Sequence, residues 1–314
     1  MPDSRTAAGG RDDLLVDASR CLRMRYSESG CRRCADICPH GAVNFEGGLA
    51  INRELCRGCM LCTAACPSGS LEQSGDFSAC LAKLSRVPEP ILGCSRTKEH
   101  SNAALACLGG LSGEHLLALC HSLAGALTLN LTDCGDCPNS PMVFHLRRRC
   151  ADLSGGGLLE GGCRIILAES AQDIHFRDES VDRRGFFKSL RSSLFQGAAV
   201  ILSAGSGQPE LRREYAGKRV PVRRGLLNRT LGWLSPELDT LVRAHYCHQV
   251  VFFDNCTSCQ GCVAICPTGA LLAHSPDDPP RFDQQRCTGC GLCMEFCLDD
   301  AVKLARSSRG DKKI

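Results

Sequence analysis

The sequence predicts an α+β chain in which two small cysteine-rich modules, one near each end, flank a small α/β domain with a parallel sheet. Three observations predict this fold. The 314 residues include 25 cysteines, most of them crowd into two similar segments, and the stretch between alternates strand-like with helix-like patterns. The composition, 43% hydrophobic and 23% charged, is that of a globular protein long enough for two or three compact units.

Cysteine spacing divides the chain into four parts. Dense modules cover residues 15–75 and 246–306, the α/β domain covers 88–170, and a basic linker without cysteine covers 171–245. In both modules a cysteine run that ends in Cys-Pro-x-Gly is followed by a short strand, a turn, a second strand and another run. The two modules are therefore a repeat.

The cysteine content indicates metal binding rather than disulfide bonds. Disulfide-rich chains are usually short and exported, whereas the first residues here are acidic and contain no apolar stretch. We therefore expect a cytoplasmic protein. No run of 18 apolar residues is present, so no membrane span is expected.

The C-terminal module carries two complete cysteine runs with C-x2-C-x2-C-x3-C spacing. They resemble the runs of bacterial ferredoxins that hold two [4Fe–4S] clusters, in which the fourth cysteine of each run binds the other cluster. Zinc knuckles share the C-x2-C spacing but use two pairs rather than two runs of four. The resemblance implies one cluster on Cys256, Cys259, Cys262 and Cys297, and another on Cys287, Cys290, Cys293 and Cys266. Leu298 replaces the proline that would follow the last cysteine, which predicts a changed local turn with the same ligands.

The N-terminal module resembles the same ferredoxin-like fold but breaks the pattern once. Glu28 stands where the first cysteine of the first run is expected. The resemblance implies a complete cluster on Cys56, Cys59, Cys62 and Cys38, and it leaves a second cluster with only Cys31, Cys34 and Cys66. We predict Cys21 as the fourth ligand, because the ten residues that separate it from Cys31 can loop back to the open iron. Ligation by Glu28 and a three-iron cluster are the alternatives.

The middle domain reads as strand EPILGC, helix GEHLLALCHSLAG, strand ALTLNL, helix PMVFHLRRRCADL and strand CRIILAES. Cys94 follows the first strand, and Cys134 and Cys137 follow the second, so these three can converge at one sheet edge. Cys107 opens a helix. The order resembles the iron–sulfur delta subunit of methyl-viologen-reducing hydrogenases, which implies a [2Fe–2S] or [4Fe–4S] cluster on these four cysteines. That family has paired cysteines where this chain has Cys94 alone. The alternative is that the middle cysteines, including Cys80, Cys120, Cys150 and Cys163, are buried small hydrophobes.

Residues 183–229 contain eleven lysines and arginines against two glutamates. They predict either a connector with solvated arginines or a surface for an acidic redox partner or for neighbouring thiolate clusters. No recognition motif accompanies them, so nucleic-acid binding is not expected. Residues 183–188 look like a twin-arginine signal, but their position in mid-chain argues against export. No nucleotide-binding loop or catalytic triad is present, and no catalytic residue is assigned.

The sequence thus predicts four [4Fe–4S] clusters, a further cluster in the middle domain, and the relay of single electrons between redox partners. Such partners are dehydrogenase, hydrogenase or reductase subunits, and the chain would be a non-catalytic accessory subunit of an oxidoreductase complex. Two alternatives stay open. One is a catalytic reductase that uses the irregular N-terminal cluster, and the other is a non-redox iron–sulfur scaffold or maturation factor.

Overall fold

The computed structural model describes residues 12–176 and 218–306, which fall into two compact units. The first unit contains residues 1–56, 65–72 and 213–314, and the second contains residues 57–64 and 73–212. The twin-arginine-like segment at 183–188 lies outside the described residues. The boundaries predicted from cysteine spacing stay predictions.

The regular elements of the described chain are short strands and mostly short helices. The strands are β1 (Leu14–Val16), β2 (Val43–Asn44), β3 (Ala50–Ile51), β4 (Leu71–Gln73), β5 (Ile91–Cys94), β6 (Ala103–Leu105), β7 (Ala126–Asn130), β8 (Arg164–Ala168), β9 (His248–Phe252), β10 (Leu271–Leu272), β11 (Arg281–Phe282) and β12 (Val302–Arg306). The helices are α1 (Leu22–Arg25), α2 (Arg33–Asp36), α3 (Leu61–Ala65), α4 (Phe77–Leu84), α5 (Gly113–Ser122), α6 (Pro141–Gly155), α7 (Val222–Leu231), α8 (Pro236–Tyr246), α9 (Gly261–Ile265) and α10 (Leu292–Glu295).

The first unit contains two copies of one strand arrangement. In the N-terminal copy β1 pairs with β4, and β2 and β3 form an antiparallel hairpin between them in sequence. In the C-terminal copy β9 pairs antiparallel with β12, and β10 and β11 form the hairpin. Each hairpin directly follows a Cys-Pro-x-Gly turn, so the turn starts the strand that returns the chain to the next cysteine run.

The second unit contains a four-stranded parallel sheet with the order β6-β5-β7-β8. This confirms the parallel sheet predicted for the middle of the chain, with β5, β7 and β8 at the predicted places and α5 and α6 as the crossovers. Ser112 accepts a hydrogen bond from the main chain of His115 and caps α5, and Pro141 begins α6. The core consists of fully buried leucines such as Leu92, Leu117 and Leu127. The edge strand β6 and helix α4 were not predicted.

The predicted basic linker is partly helical. Its described residues from 218 onward contain α7 and most of α8, and they belong to the first unit. Within residues 12–176 and 218–306, no helix combines the length and apolar character needed to cross a membrane.

Candidate metal centres

One cavity of the first unit is lined by Cys266, Cys287, Cys290 and Cys293. These are the four cysteines that the sequence assigns to one cluster. The walls between them are apolar, with Leu271, Phe282 and Leu304 among the lining residues. The backbone N–H of Ala270 donates to Cys266 Sγ over 3.3 Å, and that of Gly289 donates to Cys287 Sγ over 3.5 Å. Apolar walls and N–H···S hydrogen bonds are the environment that ferredoxin-type clusters require.

A second cavity of the first unit is lined by Cys21, Cys31, Cys34 and Cys66, together with Leu22, Phe45, Leu49 and Leu71. Cys21, the proposed replacement ligand, therefore faces the same space as the three cysteines that need a fourth. Glu28 is absent from the lining of this cavity, and its carboxylate accepts a hydrogen bond from the hydroxyl of Tyr26 over 2.6 Å.

A repeated backbone hydrogen bond places Cys21 at the first position of a run. The backbone N–H of Asn52, four residues before Cys56, donates to the carbonyl of Ala42, four residues after Cys38, over 2.8 Å. In the same way the N–H of Asp283, four residues before Cys287, donates to the carbonyl of Ala270, four residues after Cys266, over 2.8 Å. The corresponding bond near Cys256 starts three residues before the cysteine and runs from Phe253 to Ala301 over 2.9 Å. For Cys21 the same bond runs from Asp17, four places earlier, to Ser70 over 2.8 Å. Cys21 is thus the equivalent of Cys287, followed by a longer loop.

A sequence signal for this equivalence exists, although the spacing analysis did not use it. Cys21 ends the segment Val16-Asp17-Ala18-Ser19-Arg20-Cys21, and Cys287 ends the similar segment Phe282-Asp283-Gln284-Gln285-Arg286-Cys287. Gly69 and Gly269 both have a φ of +67°, and a Cβ at either position would press against the guanidinium of Arg20 or Arg286 respectively. Close approach and positive φ explain the glycine in both Cys-Pro-x-Gly turns.

The four cysteines assigned to the other C-terminal cluster are open to solvent in part, with Cys259 exposed and Cys256, Cys262 and Cys297 half-buried. Asn255 and Thr257, on either side of Cys256, both donate to Asp299, the first over 2.6 Å and the second over 2.9 Å, which holds this loop against that of Cys297. Although Leu298 replaces proline after Cys297, this turn keeps the hydrogen bond to sulfur that the turn after Cys266 has. The Ala301 N–H donates to Cys297 Sγ over 3.3 Å. Asp300, at φ +51°, adopts the left-handed conformation that glycine has in the other turns.

The cluster assigned to Cys38, Cys56, Cys59 and Cys62 stays a prediction from the sequence, because the first two cysteines belong to the first unit and the others to the second. Within the first unit, the Ala42 N–H donates to Cys38 Sγ over 3.4 Å. Ala270 makes the same contact with Cys266, and Ala301 makes it with Cys297.

In the second unit, one cavity is lined by Cys94, Cys107, Cys134 and Cys137. Cys107 does not open a regular α-helix, as the sequence suggested, but follows the unpredicted strand β6 and precedes a short 3-10 helix. The four cysteines therefore follow three adjacent parallel strands, β6, β5 and β7, whose carboxyl ends meet at one sheet edge. Thr97 donates to Cys94 Sγ over 3.7 Å.

Burial disfavours thiolates in these cavities unless a cation compensates them. Burial, together with the charges of neighbouring cysteines, raises the pKa of Cys34, Cys107, Cys134 and Cys293 to about 12. Iron supplies positive charge to such a donor set, and thiolates are the ligands that iron–sulfur clusters take. In the described part of the chain, no three His, Cys, Asp or Glu side chains stand close enough to share a single metal ion. The fit to a cluster rests on the cavities and on the repeated sulfur contacts.

Five cysteines lie outside these sets. Cys80, Cys120, Cys163 and Cys247 are buried and Cys150 is half-buried. Cys120 and Cys163 contact one another, since Cys120 Sγ donates to the carbonyl of Cys163 over 3.0 Å. These positions suit cysteines that pack as small hydrophobic residues.

The two cysteine-rich modules share a small apolar core within the first unit. Leu22 of α1 packs against Ile265 and Leu292 of the C-terminal module, and Cys31 and Cys290 both pack against this core. Tyr26 and Phe296 make an edge-to-face contact there with ring centroids 5.3 Å apart, and the Arg25 side chain donates to the carbonyl of Ile265 over 2.7 Å. The cavity of Cys21 and the cavity of Cys287 therefore each contribute one cysteine to the same contact.

Comparison with known families identifies both modules. A family described as 4Fe-4S dicluster domain matches residues 249–298, and a second family with the same description matches residues 29–70. The chain thus has a 4Fe-4S dicluster domain near each end, which implies two to four [4Fe–4S] clusters.

Curated relatives match over a small part of the chain. NADH-quinone oxidoreductase subunit I of Pelobacter propionicus is 33% identical over 64 residues, which cover 17% of this chain and 34% of the relative. Pyruvate synthase subunit PorD of Methanothermobacter marburgensis is 36% identical over 53 residues, which cover 17% of this chain and 59% of the relative. The chain therefore spans between about a third and three fifths of these relatives. No solved structure matches the chain significantly.

Proposed function

We propose that this protein is an iron–sulfur electron carrier that relays single electrons between redox proteins through clusters held on its own cysteines. The observation that carries the proposal is the shared core of Leu22, Ile265 and Leu292, against which Cys31 and Cys290 both pack. A dicluster module alone connects two centres. This contact joins two such modules by packed side chains, which suits transfer across the whole first unit.

The surface position of one cluster supports exchange with a partner. Cys259 is the one exposed cysteine among the 25, all of which lie in the described residues. Phe253, three residues before Cys256, is 46% exposed, and Leu298, directly after Cys297, is 95% exposed. Exposed apolar side chains next to the cysteines of one cluster suit a docking redox protein. The matched relatives are named as subunits of an oxidoreductase and of a synthase, so we propose an accessory, non-catalytic subunit whose partners are dehydrogenase, hydrogenase or reductase subunits in the cytoplasm.

The second unit extends the relay to a fifth centre on Cys94, Cys107, Cys134 and Cys137. Gly109, two residues after Cys107, lies against the carbonyl of Cys59, and a Cβ at that position would overlap it. Asn139, two residues after Cys137, donates to the carbonyl of Arg57 over 3.0 Å. These contacts bring the loop of Cys59 close to the middle cavity. We propose a [2Fe–2S] centre there, as in the hydrogenase delta subunits that this domain resembles.

Replacement of Cys134 and Cys137 tests the fifth centre. We expect the Cys134→Ser, Cys137→Ser protein to lose about two irons per chain, because it lacks two of the four cysteines that line this cavity. Iron and acid-labile sulfide analysis measures the loss. The control is Cys150→Ser, in helix α6 of the same unit and outside the cavity. An unchanged iron content in the double variant would show that this site holds no cluster.

Reductive titration of the anaerobically purified chain tests the relay. We expect each cluster to accept one electron reversibly, so the chain should take up about four or five electrons. Transfer of these electrons to an added ferricytochrome c should reoxidise every cluster. Clusters that cannot be reduced would favour the scaffold alternative. Turnover of a small substrate by the isolated chain would favour a catalytic reductase. That alternative was based on an irregularly ligated N-terminal cluster, and four cysteines in one cavity offer that cluster a regular ligand set.

A further inference from the structure

Arg224 is a buried arginine that donates its hydrogen bonds to neutral groups, namely main-chain carbonyls and a thiol. Its side chain belongs to α7 and is 2% exposed. The guanidinium donates to the main-chain carbonyls of Gln284, Tyr246 and Gln285 over 2.9, 3.0 and 3.1 Å, and to Cys247 Sγ over 3.4 Å. Burial of a full positive charge among neutral groups is costly unless another charge compensates it.

The cavity of Cys266, Cys287, Cys290 and Cys293 lies next to the residues that Arg224 contacts. Gln284 and Gln285, whose carbonyls accept from Arg224, directly precede Arg286 and Cys287 in the chain. A cluster held by four thiolates is anionic, so a cluster in this cavity would supply the compensating charge.

The equivalent N-terminal cavity has a different charge balance. Arg20 is fully buried beside Cys21, but its guanidinium pairs with the carboxylate of Glu72 over 3.4 Å. Glu72 also pairs with Arg219 over 2.9 Å. The N-terminal cavity therefore has one carboxylate among several arginines, which include Arg223, a donor to the carbonyl of Cys66 over 2.7 Å. Within the described residues, the hydrogen-bond acceptors of Arg224 include no carboxylate.

We propose that Arg224 raises the reduction potential of the cluster on Cys266, Cys287, Cys290 and Cys293. Reduction adds one negative charge to a cluster, and a buried cation nearby stabilises that charge because the interior screens it weakly. The proposal rests on the proposed relay, in which this cluster is reduced by accepting an electron from a neighbouring centre, which is oxidised.

Potentiometric titration monitored by EPR tests the proposal on the full chain. In Arg224→Gln we expect one cluster to become at least tenfold harder to reduce, which is a shift of about 59 mV for a one-electron couple. Arg224→Lys keeps the charge and should stay close to the wild-type potential. The matched control is Arg229→Gln, an exposed residue of the same helix, which should leave every potential unchanged.

A second variant tests the effect of a buried charge on cluster potential at the N-terminal cavity. Glu72→Gln removes the carboxylate beside Arg20 and keeps the oxygen that accepts from the Val222 N–H over 2.8 Å. We expect the potential of the N-terminal cluster to rise. Unchanged potentials in both Arg224→Gln and Glu72→Gln, at full iron content, would overturn the proposal and leave the relay standing. If Arg224→Gln fails to assemble its cluster, the Glu72→Gln result decides alone. Irreducible clusters in the wild type would instead contradict the relay itself.

Discussion

Removal of iron is expected to unfold both cysteine-rich modules. Each is about 60 residues long, a size at which burial of apolar surface alone gives marginal stability. Their strands contain two to five residues, and their buried side chains surround the cysteine-lined cavities. The free energy of cluster binding is therefore largely the free energy of folding there. Anaerobic chelation followed by circular dichroism and thermal melting should show the loss of a cooperative transition.

The parallel sheet of the second unit provides an internal control. Leu92, Leu117, Leu127 and Leu129 are fully buried in a core that excludes the cysteine cavity. We expect amide hydrogens of β7 and β8 to stay protected from exchange after chelation, while those of Ala270 and Ala301 exchange rapidly. Chelated protein with the native melting curve, and with Ala270 still protected, would show that the clusters do not hold the modules together.

Replacement of Cys21 by serine is expected to convert one four-iron cluster into a three-iron centre, or to remove it. The reason is geometric. Cys21 faces the cavity of Cys31, Cys34 and Cys66, and the hydrogen bond from Asp17 to Ser70 gives it the position that Cys287 has in the other module. A hydroxyl is a poorer ligand than a thiolate for iron in a sulfide cluster. EPR and iron analysis of the anaerobic Cys21→Ser protein measure the change.

Two further variants bracket the Cys21 result. Cys31→Ser removes a cysteine that lines the same cavity and is assigned to the same cluster, so it should give the same spectral change. Cys150→Ser removes a half-buried cysteine that lines none of the three cysteine cavities, so it should leave the spectra unchanged. If the spectra and iron content of Cys21→Ser matched those of Cys150→Ser rather than those of Cys31→Ser, Cys21 would not be the fourth ligand. Ligation by Glu28 or a three-iron centre would then be the remaining explanations.

Local pattern accounts for the parts of the fold that were predicted from the sequence. Runs with four cysteines identify the modules, because a [4Fe–4S] cluster needs thiolates at fixed short spacing. The apolar stretches of β5, β7 and β8 identify the parallel sheet because buried strands lack alternation. Strand β6, with the sequence Ala103-Ala104-Leu105, was missed because three small or common residues carry no strand signal.

Long-range packing accounts for the parts that were not predicted. Arg224 lies in a segment whose many arginines suggested a solvated connector, yet it is buried against carbonyls about 60 residues further along the chain. Leu22 contacts Ile265, which lies far from it in the sequence. The local pattern around each residue gives no information about the other, so this contact could not be predicted. Composition gives the charge of such a segment, but only the folded chain determines which of its charges are buried.

The most direct test of the central claim is iron and acid-labile sulfide analysis of the anaerobically purified or reconstituted chain, with EPR of the reduced protein. Four complete cysteine sets predict about sixteen irons in the two modules, and the centre on Cys94, Cys107, Cys134 and Cys137 adds about two more. We expect about eighteen irons per chain and EPR signals from interacting [4Fe–4S] clusters. A chain that reconstitutes to about eight irons, with signals from a single pair of clusters, would contradict the account.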